Sequence, residues 1–291
     1  MRYDLFAGND ELFAKLREGN PGYDVIFPSN DYVERMIAAE ILQKLDHTKI
    51  PNMANLEPVF LNAAFDPGRQ YSLTYFWGTL GLGYRKSAIE PDSWAAMFDP
   101  EILPGRMSFL TDITVLQCTL KYLGLSPNST DPAEIRQAVE LLIKAKPGIQ
   151  SFAPDTGQDL LISGEVDMCM EYNGDIQQVM TEDDDLSYIV PKEGSLIWED
   201  TMAIPQGAPN PDNAHAFINF ILEPEVHAAI AEEIQYACPN GPAKALLPEA
   251  DLSNPAIYPP EEVIKKCETT VYLGEQIEDL YSKGLTRVMA A

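Results

Sequence analysis

Trp198 and Asp200 stand two residues apart in Leu196-Ile197-Trp198-Glu199-Asp200-Thr201-Met202-Ala203-Ile204-Pro205. On an extended strand both side chains leave from the same face. An indole beside a carboxylate suits a small organic cation. The ring face attracts positive charge through its quadrupole, and the carboxylate accepts a charged hydrogen bond. The same residue types also fit a core tryptophan beside a surface aspartate. Glu171-Tyr172-Asn173-Gly174-Asp175 and Glu233-Ile234-Gln235-Tyr236 offer further aromatics next to acids. Ser29-Asn30-Asp31 follows an expected strand and Pro28 and precedes an expected helix. Such strand-to-helix loops line the ligand crevice of open α/β sheets, which makes Ser29 and Asp31 candidate pocket residues. Asp31 equally fits a plain helix cap. Asp112, in Leu110-Thr111-Asp112, occupies the same kind of strand end.

The elements that must position these residues alternate along the chain. Asn9 to Leu16 reads as a helix, Tyr23 to Phe27 as a buried strand stopped by Pro28, and Tyr32 to Leu45 as a helix with apolar Val33, Met36, Ile37, Ile41 and Leu45. Leu73 to Phe76 and Leu80 to Tyr84 read as strands around a bend at Trp77-Gly78. Asp131, Pro132 and Glu134 mark a capped helix start, followed by the apolar stripe Ile135, Val139, Leu142 and Ile143. Val166 to Tyr172 is an expected strand, with Asn173-Gly174 a turn or helix entry. Helices are expected over Asn213 to Leu222, Glu225 to Ile234 and Glu275 to Met289. The alternation argues for an α/β fold.

Composition narrows the function. The 291 residues can form a large core and two lobes, and the 45% hydrophobic content marks a globular chain. No apolar run reaches the roughly 18 residues of a membrane span. The net charge of −25 disfavours nucleic acid and favours cationic ligands, although a solvated, salt-adapted surface accounts for it equally well. Three histidines and four cysteines without CxxC spacing make a histidine-based or zinc site improbable. Cys238 and Cys267 could pair if their segments meet, or remain buried thiols. Gly81-Leu82-Gly83 lacks the third glycine of a nucleotide loop, and Asp183-Asp184-Asp185 lacks the remaining ligands of a calcium loop. No nucleophile–base pair emerges.

Several segments together carry a resemblance. They are Tyr23-Asp24-Val25-Ile26-Phe27-Pro28-Ser29, Phe76-Trp77-Gly78, Leu123-Gly124-Leu125-Ser126-Pro127-Asn128-Ser129 and Glu171-Tyr172-Asn173-Gly174. The series continues with Pro191-Lys192-Glu193-Gly194, Trp198-Glu199-Asp200, Ala203-Ile204-Pro205, Asn219-Phe220-Ile221-Leu222 and Ile257-Tyr258-Pro259-Pro260. The chain resembles the periplasmic spermidine/putrescine-binding proteins of ABC transporters.

The resemblance implies a type II periplasmic binding protein fold, in which two α/β lobes joined by crossing hinge strands close on ligand. One lobe is expected to contain residues 1–77 and 200–242, the other 78–199 and 243–291. It implies a pocket that stacks a polyamine's methylenes on aromatic rings and ties its ammonium groups to carboxylates. By position, Ser29 matches a pocket serine, Tyr172 an aromatic that is often Trp, Trp198 an aromatic, Asp200 an amine-binding acid and Tyr236 a pocket tyrosine. Asp31 falls where some members carry an aromatic. The implied partners are a polyamine and an ABC-transporter permease, with no nucleic acid, no membrane span, no cofactor and no metal. A monomer in the periplasm or outside the cell is expected.

Two departures are visible. The family's opening strand is missing, and the chain starts at Met1-Arg2-Tyr3-Asp4-Leu5 with no apolar signal region, as a mature, trimmed or fragmentary form would. After Thr111-Asp112 the loop looks short. Where the family often places two acids, Ile113, Thr114, Val115 and Leu116 offer none, so only Asp112 could substitute. This leaves a diamine or a different cation open. The alternatives are the same fold with another small solute, a carboxylate-dependent enzyme using Glu199 and Asp200, or a non-binding remnant. On a strand, adjacent residues point to opposite faces, which places that acid pair badly for catalysis.

Overall fold

The computed structural model describes residues 2–6 and 8–291. Apolar residues at helical spacing build α1 (Asn9–Arg17), which buries Leu12, Phe13 and Leu16, and α2 (Asn30–Ala38), which buries Val33 and Met36. The sequence predicts the second helix as far as Leu45, but Glu40 adopts a left-handed conformation (φ 56°) and the chain continues extended. Leu42 then bridges Pro205, and the Gln43 N–H donates to Ile204 O at 2.8 Å. Ile41, Leu42 and Leu45 are thus buried from an extended segment, which serves an apolar spacing of three to four as well as a helix face does here.

The sheet has seven strands: β1 (Ser72–Arg85), β2 (Met107–Phe109), β3 (Ile149–Phe152), β4 (Met168–Tyr172), β5 (Leu186–Ile189), β6 (Leu196–Ala203) and β7 (Glu268–Thr269). Their order is β3-β2-β4-β1-β6-β7, with β5 also paired to β1. The β2–β3, β2–β4 and β6–β7 ladders are parallel, while β1 runs antiparallel to β4 and β5. The expected strand pair around Trp77-Gly78 is one continuous strand of 14 residues. The expected strand Tyr23 to Phe27 contracts to a bridge at Ile26, whose N–H and C=O bond Ala203 at 2.9 and 3.0 Å.

The chain divides into two units. Unit 1 comprises Met1–Trp77 and Trp198–Glu249; unit 2 comprises Gly78–Ile197 and Ala250–Ala291. The boundaries fall inside β1 and β6, so both strands carry the chain from one unit to the other. Unit 1 holds one cluster around Leu12, Val33, Met36 and Phe65 and another around Leu73, Met202, Ile204 and Ile218. Unit 2 is organised around Trp94, Met97, Phe109, Leu116 and Leu142, with a second cluster around Leu161, Ile176 and Tyr188.

Asp131 caps the helix Pro132–Ala145, accepting from the Ala133 N–H at 2.7 Å. Glu134 does not close the capping box directly. It holds the Ser129 hydroxyl, whose oxygen accepts from the Asp131 N–H at 3.1 Å. None of the four cysteines is in a disulfide, and Cys238 and Cys267 remain thiols. Among the described residues no helix is long and apolar enough to cross a membrane.

Candidate ligand-binding site

In unit 1, β6 supplies Trp198 and Asp200 from one face, and both are half-buried. The segment before α2 lies antiparallel to β6, with Ser29 bridging Asp200 and the Thr201 N–H donating to Pro28 O at 3.0 Å. This registration brings the Ser29 hydroxyl to Asp200, where it donates to Oδ1 at 3.1 Å. Ser29 is the N-cap of α2, yet its side chain makes no cap hydrogen bond. Its hydroxyl is instead held by Asn9, whose Nδ2 donates to Oγ at 2.9 Å while Oδ1 accepts from the Ser29 N–H at 3.2 Å. Asn9, the first residue of α1, therefore orients the serine that faces Asp200.

Tyr236 reaches the same place by a different route. The helix Pro224–Ile234 ends at Gln235 in a left-handed conformation (φ 57°), which turns the chain sharply. Ala237 then exchanges two backbone hydrogen bonds with Trp77, each of 3.2 Å. The Tyr236 ring meets Trp198 edge to face, with centroids 4.8 Å apart and planes at 76°. Ser29, Trp198, Asp200 and Tyr236 thus form one group: two rings beside a carboxylate whose orientation is fixed by a hydroxyl. Asp31 lies in the first turn of α2, half-buried, and the cap position belongs to Ser29.

Sequence reasoning missed Asn9 as a site residue, and Tyr75 as an aromatic near enough to Asp200 to feel its charge. Burial pushes the Tyr75 hydroxyl up to about 12, with smaller contributions from Tyr3 and from the Asp200 charge. Tyr75 is half-buried on β1, packed edge to face on Phe27 at 4.9 Å. The alternation Tyr75, Trp77 on one strand face was the available signal.

Unit 2 holds the remaining candidates. Tyr172 ends β4 and is the N-cap of the helix Asn173–Met180. Asn173-Gly174 is therefore a helix entry. Asn173 is buried and fixes the junction: its Oδ1 accepts from the Thr79 N–H at 3.1 Å and its Nδ2 donates to Ala256 O at 3.0 Å. Glu171, fully buried, accepts from the N–H groups of Tyr172 and Gly157, both at 3.0 Å. The carboxylates of Asp155, Glu171 and Asp175 lie within 4.8 Å of one another. Burial, reinforced by the Asp155 and Asp175 charges, pushes Glu171 up to about 9 against these two backbone donors. Asp112 is exposed at the β2-to-helix loop, and its carboxylate accepts from the N–H (2.8 Å) and hydroxyl of Thr114. It closes an Asx turn just ahead of the helix Thr114–Tyr122, whose N-cap is Ile113.

The two acids of the enzyme alternative are separated by the strand. Glu199 Oε2 is bound by Arg69 and Thr74, while Asp200 meets Ser29.

Residues 7–259 match the family of bacterial extracellular solute-binding proteins, and the chain belongs to that family. It is 34% identical to a putrescine-binding periplasmic protein of Pseudomonas aeruginosa, over 98% of this chain and 84% of the relative. It is 36% identical to a spermidine/putrescine-binding periplasmic protein of Salmonella typhimurium, over 97% of this chain and 83% of the relative. Among solved structures, a putative spermidine/putrescine ABC transporter protein of Listeria monocytogenes superposes with a TM-score of 0.92 at 33% identity, covering 99% of this chain and 90% of that one. The fold is that of a type II periplasmic binding protein.

Proposed function

We propose that this chain is the solute-binding component of an ABC importer, which captures a linear polyamine, putrescine or spermidine, and delivers it to the permease. The observation that carries this reading is the unit 1 group: Trp198 and Tyr236 edge to face, beside an Asp200 carboxylate oriented by Ser29. An ammonium group finds at Asp200 an acceptor for a charge-assisted hydrogen bond, and the adjoining methylenes find apolar ring surface. Each ring contributes cation–π attraction on the order of 0.5–2 kcal/mol. Asp31, Asp112 and Tyr172 are proposed as further ligand contacts, with Asp31 or Asp112 as the partner of a second ammonium. The relatives' names, putrescine-binding and spermidine/putrescine-binding, support this ligand class. The protein acts by binding and not by turnover, as a monomer in the periplasm or outside the cell.

Isothermal titration calorimetry with putrescine, cadaverine, spermidine and spermine, at low and at physiological salt, tests the reading. Saturable binding near one to one that survives physiological salt is expected. Weak, non-saturating heat that vanishes with salt would reduce the interaction to attraction by the net charge of −25.

A further inference from the structure

Directly behind the Trp198/Asp200 face lies an ion pair with no solvent access on its cationic side. Arg69 is fully buried, and its Nη2 lies 2.6 Å from Glu199 Oε2. Glu199 sits between Trp198 and Asp200 on β6, so its side chain leaves the opposite face. The same Oε2 accepts from the Thr74 hydroxyl at 2.9 Å. The Glu199 N–H donates to Oδ1 of the buried Asn30 at 3.1 Å.

Arg69 is held just as firmly. Its Nε donates to Phe60 O at 2.6 Å, and its guanidinium lies over the Phe65 ring at 4.9 Å. Its backbone sits at φ 52°, a conformation that side-chain-bearing residues rarely adopt. The turn survives because the Asp66 carboxylate gathers the N–H groups of Gln70, Tyr71 and Ser72 at 2.8–3.0 Å, together with the Ser72 hydroxyl. A guanidinium fork fits this place in a way that a lysine would not, because it spans a carbonyl and a carboxylate from one rigid plane.

We propose that Arg69 and Glu199 are a positioning pair, which locks the rotation of β6 so that Trp198 meets Tyr236 and Asp200 meets Ser29. Its consequence for affinity rests on the polyamine reading above. Neither residue touches the ligand; the pair acts through the strand.

The test uses the full chain and the double substitution Arg69→Met/Glu199→Leu, which removes both charges and leaves neither one buried alone. Arg69→Lys and Glu199→Gln serve as milder variants should the double variant not fold. The first readout is the indole N–H resonance of Trp198, assigned with Trp198→Phe among the three tryptophans. The second is the dissociation constant for putrescine, measured well below each variant's melting midpoint. The expected result is a displaced Trp198 resonance with affinity weakened at least tenfold, and an intermediate loss for Arg69→Lys. An unmoved resonance overturns the proposal, even if the midpoint falls. So does a moved resonance with affinity within twofold of the parent. If the parent binds no polyamine, the functional reading fails by itself, and the resonance alone decides whether the pair positions the strand.

Discussion

Asp200 and Glu171 are both acids at strand ends or faces near aromatics, and their surroundings give them opposite duties. Asp200 accepts from Ser29 and remains half-buried, so its charge stays within reach of a cation. Replacing it with Ala should weaken polyamine binding by about 2–5 kcal/mol, by analogy with buried charge pairs that lose one partner. Calorimetry on Asp200→Ala checks this, and parent-like affinity would remove Asp200 from the site. Ser29→Ala should cost less, about 0.5–1.5 kcal/mol, the net worth of one hydrogen bond. Glu171 instead holds a proton at neutral pH, since it is pushed up to about 9. An acid raised in the folded state favours folding below its unfolded value near 4.5, and that contribution fades as pH rises towards 9. Glu171→Gln should therefore melt progressively higher than the parent from pH 5 to pH 9, the gap widening by roughly 1.4 kcal/mol per pH unit at most. A constant gap across a pH series of melting curves would contradict it.

At the scale of elements, β1 depends on places where side chains are absent. A Cβ on Gly81 would stand 2.5 Å from Ile189 O and from the Tyr188 ring. Tyr188 crosses that point to donate its hydroxyl to Thr79 O at 2.8 Å. The glycines that fail as a nucleotide loop thus serve close packing of β5 on β1. Gly81→Ala should destabilise the chain by about 1–3 kcal/mol, as overpacking does, and chemical denaturation measures it.

Features encoded within a few residues were legible in the sequence: the Asp131 cap, the helix start after Pro132, and the shared face of Trp198 and Asp200. The helix beyond Ala38 was misread because Ile41 and Leu45 suit either period once the backbone turns at Glu40. The Arg69–Glu199 pair was not legible. Its partners stand 130 residues apart, and nothing local in Pro67-Gly68-Arg69 announces a buried cation. Asn9 was read as a helix-start residue, and only the fold shows that its amide serves Ser29.

The whole molecule is strongly anionic, and that charge should act on rates more than on the bound state. Raising salt should slow polyamine association while leaving dissociation nearly unchanged, because long-range steering is screened and close contacts are not. Stopped-flow tryptophan fluorescence over a salt series separates the two rates; equal effects on both would locate the charge effect within the site. On the acid side His227 works against the trend set by Glu171. Burial lowers His227 from 6.5 to about 4, so its contribution is complete above pH 6.5 and is lost as pH drops towards 4.

The bond between Ser29 and Asp200 joins residues 171 positions apart, with most of unit 2 inserted between them. A chain emerging amino terminus first must therefore carry residues 26–29 unpaired until β6 follows, leaving their backbone donors and acceptors open to wrong partners. Gly78–Ile197, by contrast, emerges as an uninterrupted stretch containing β2 to β5. Biogenesis of this protein is consequently nested: Asp200 acquires its neighbour only after Gly78–Ile197 has emerged, and unit 2 is completed later still, when Ala250–Ala291 adds Tyr281, Leu285 and Val288 to its core.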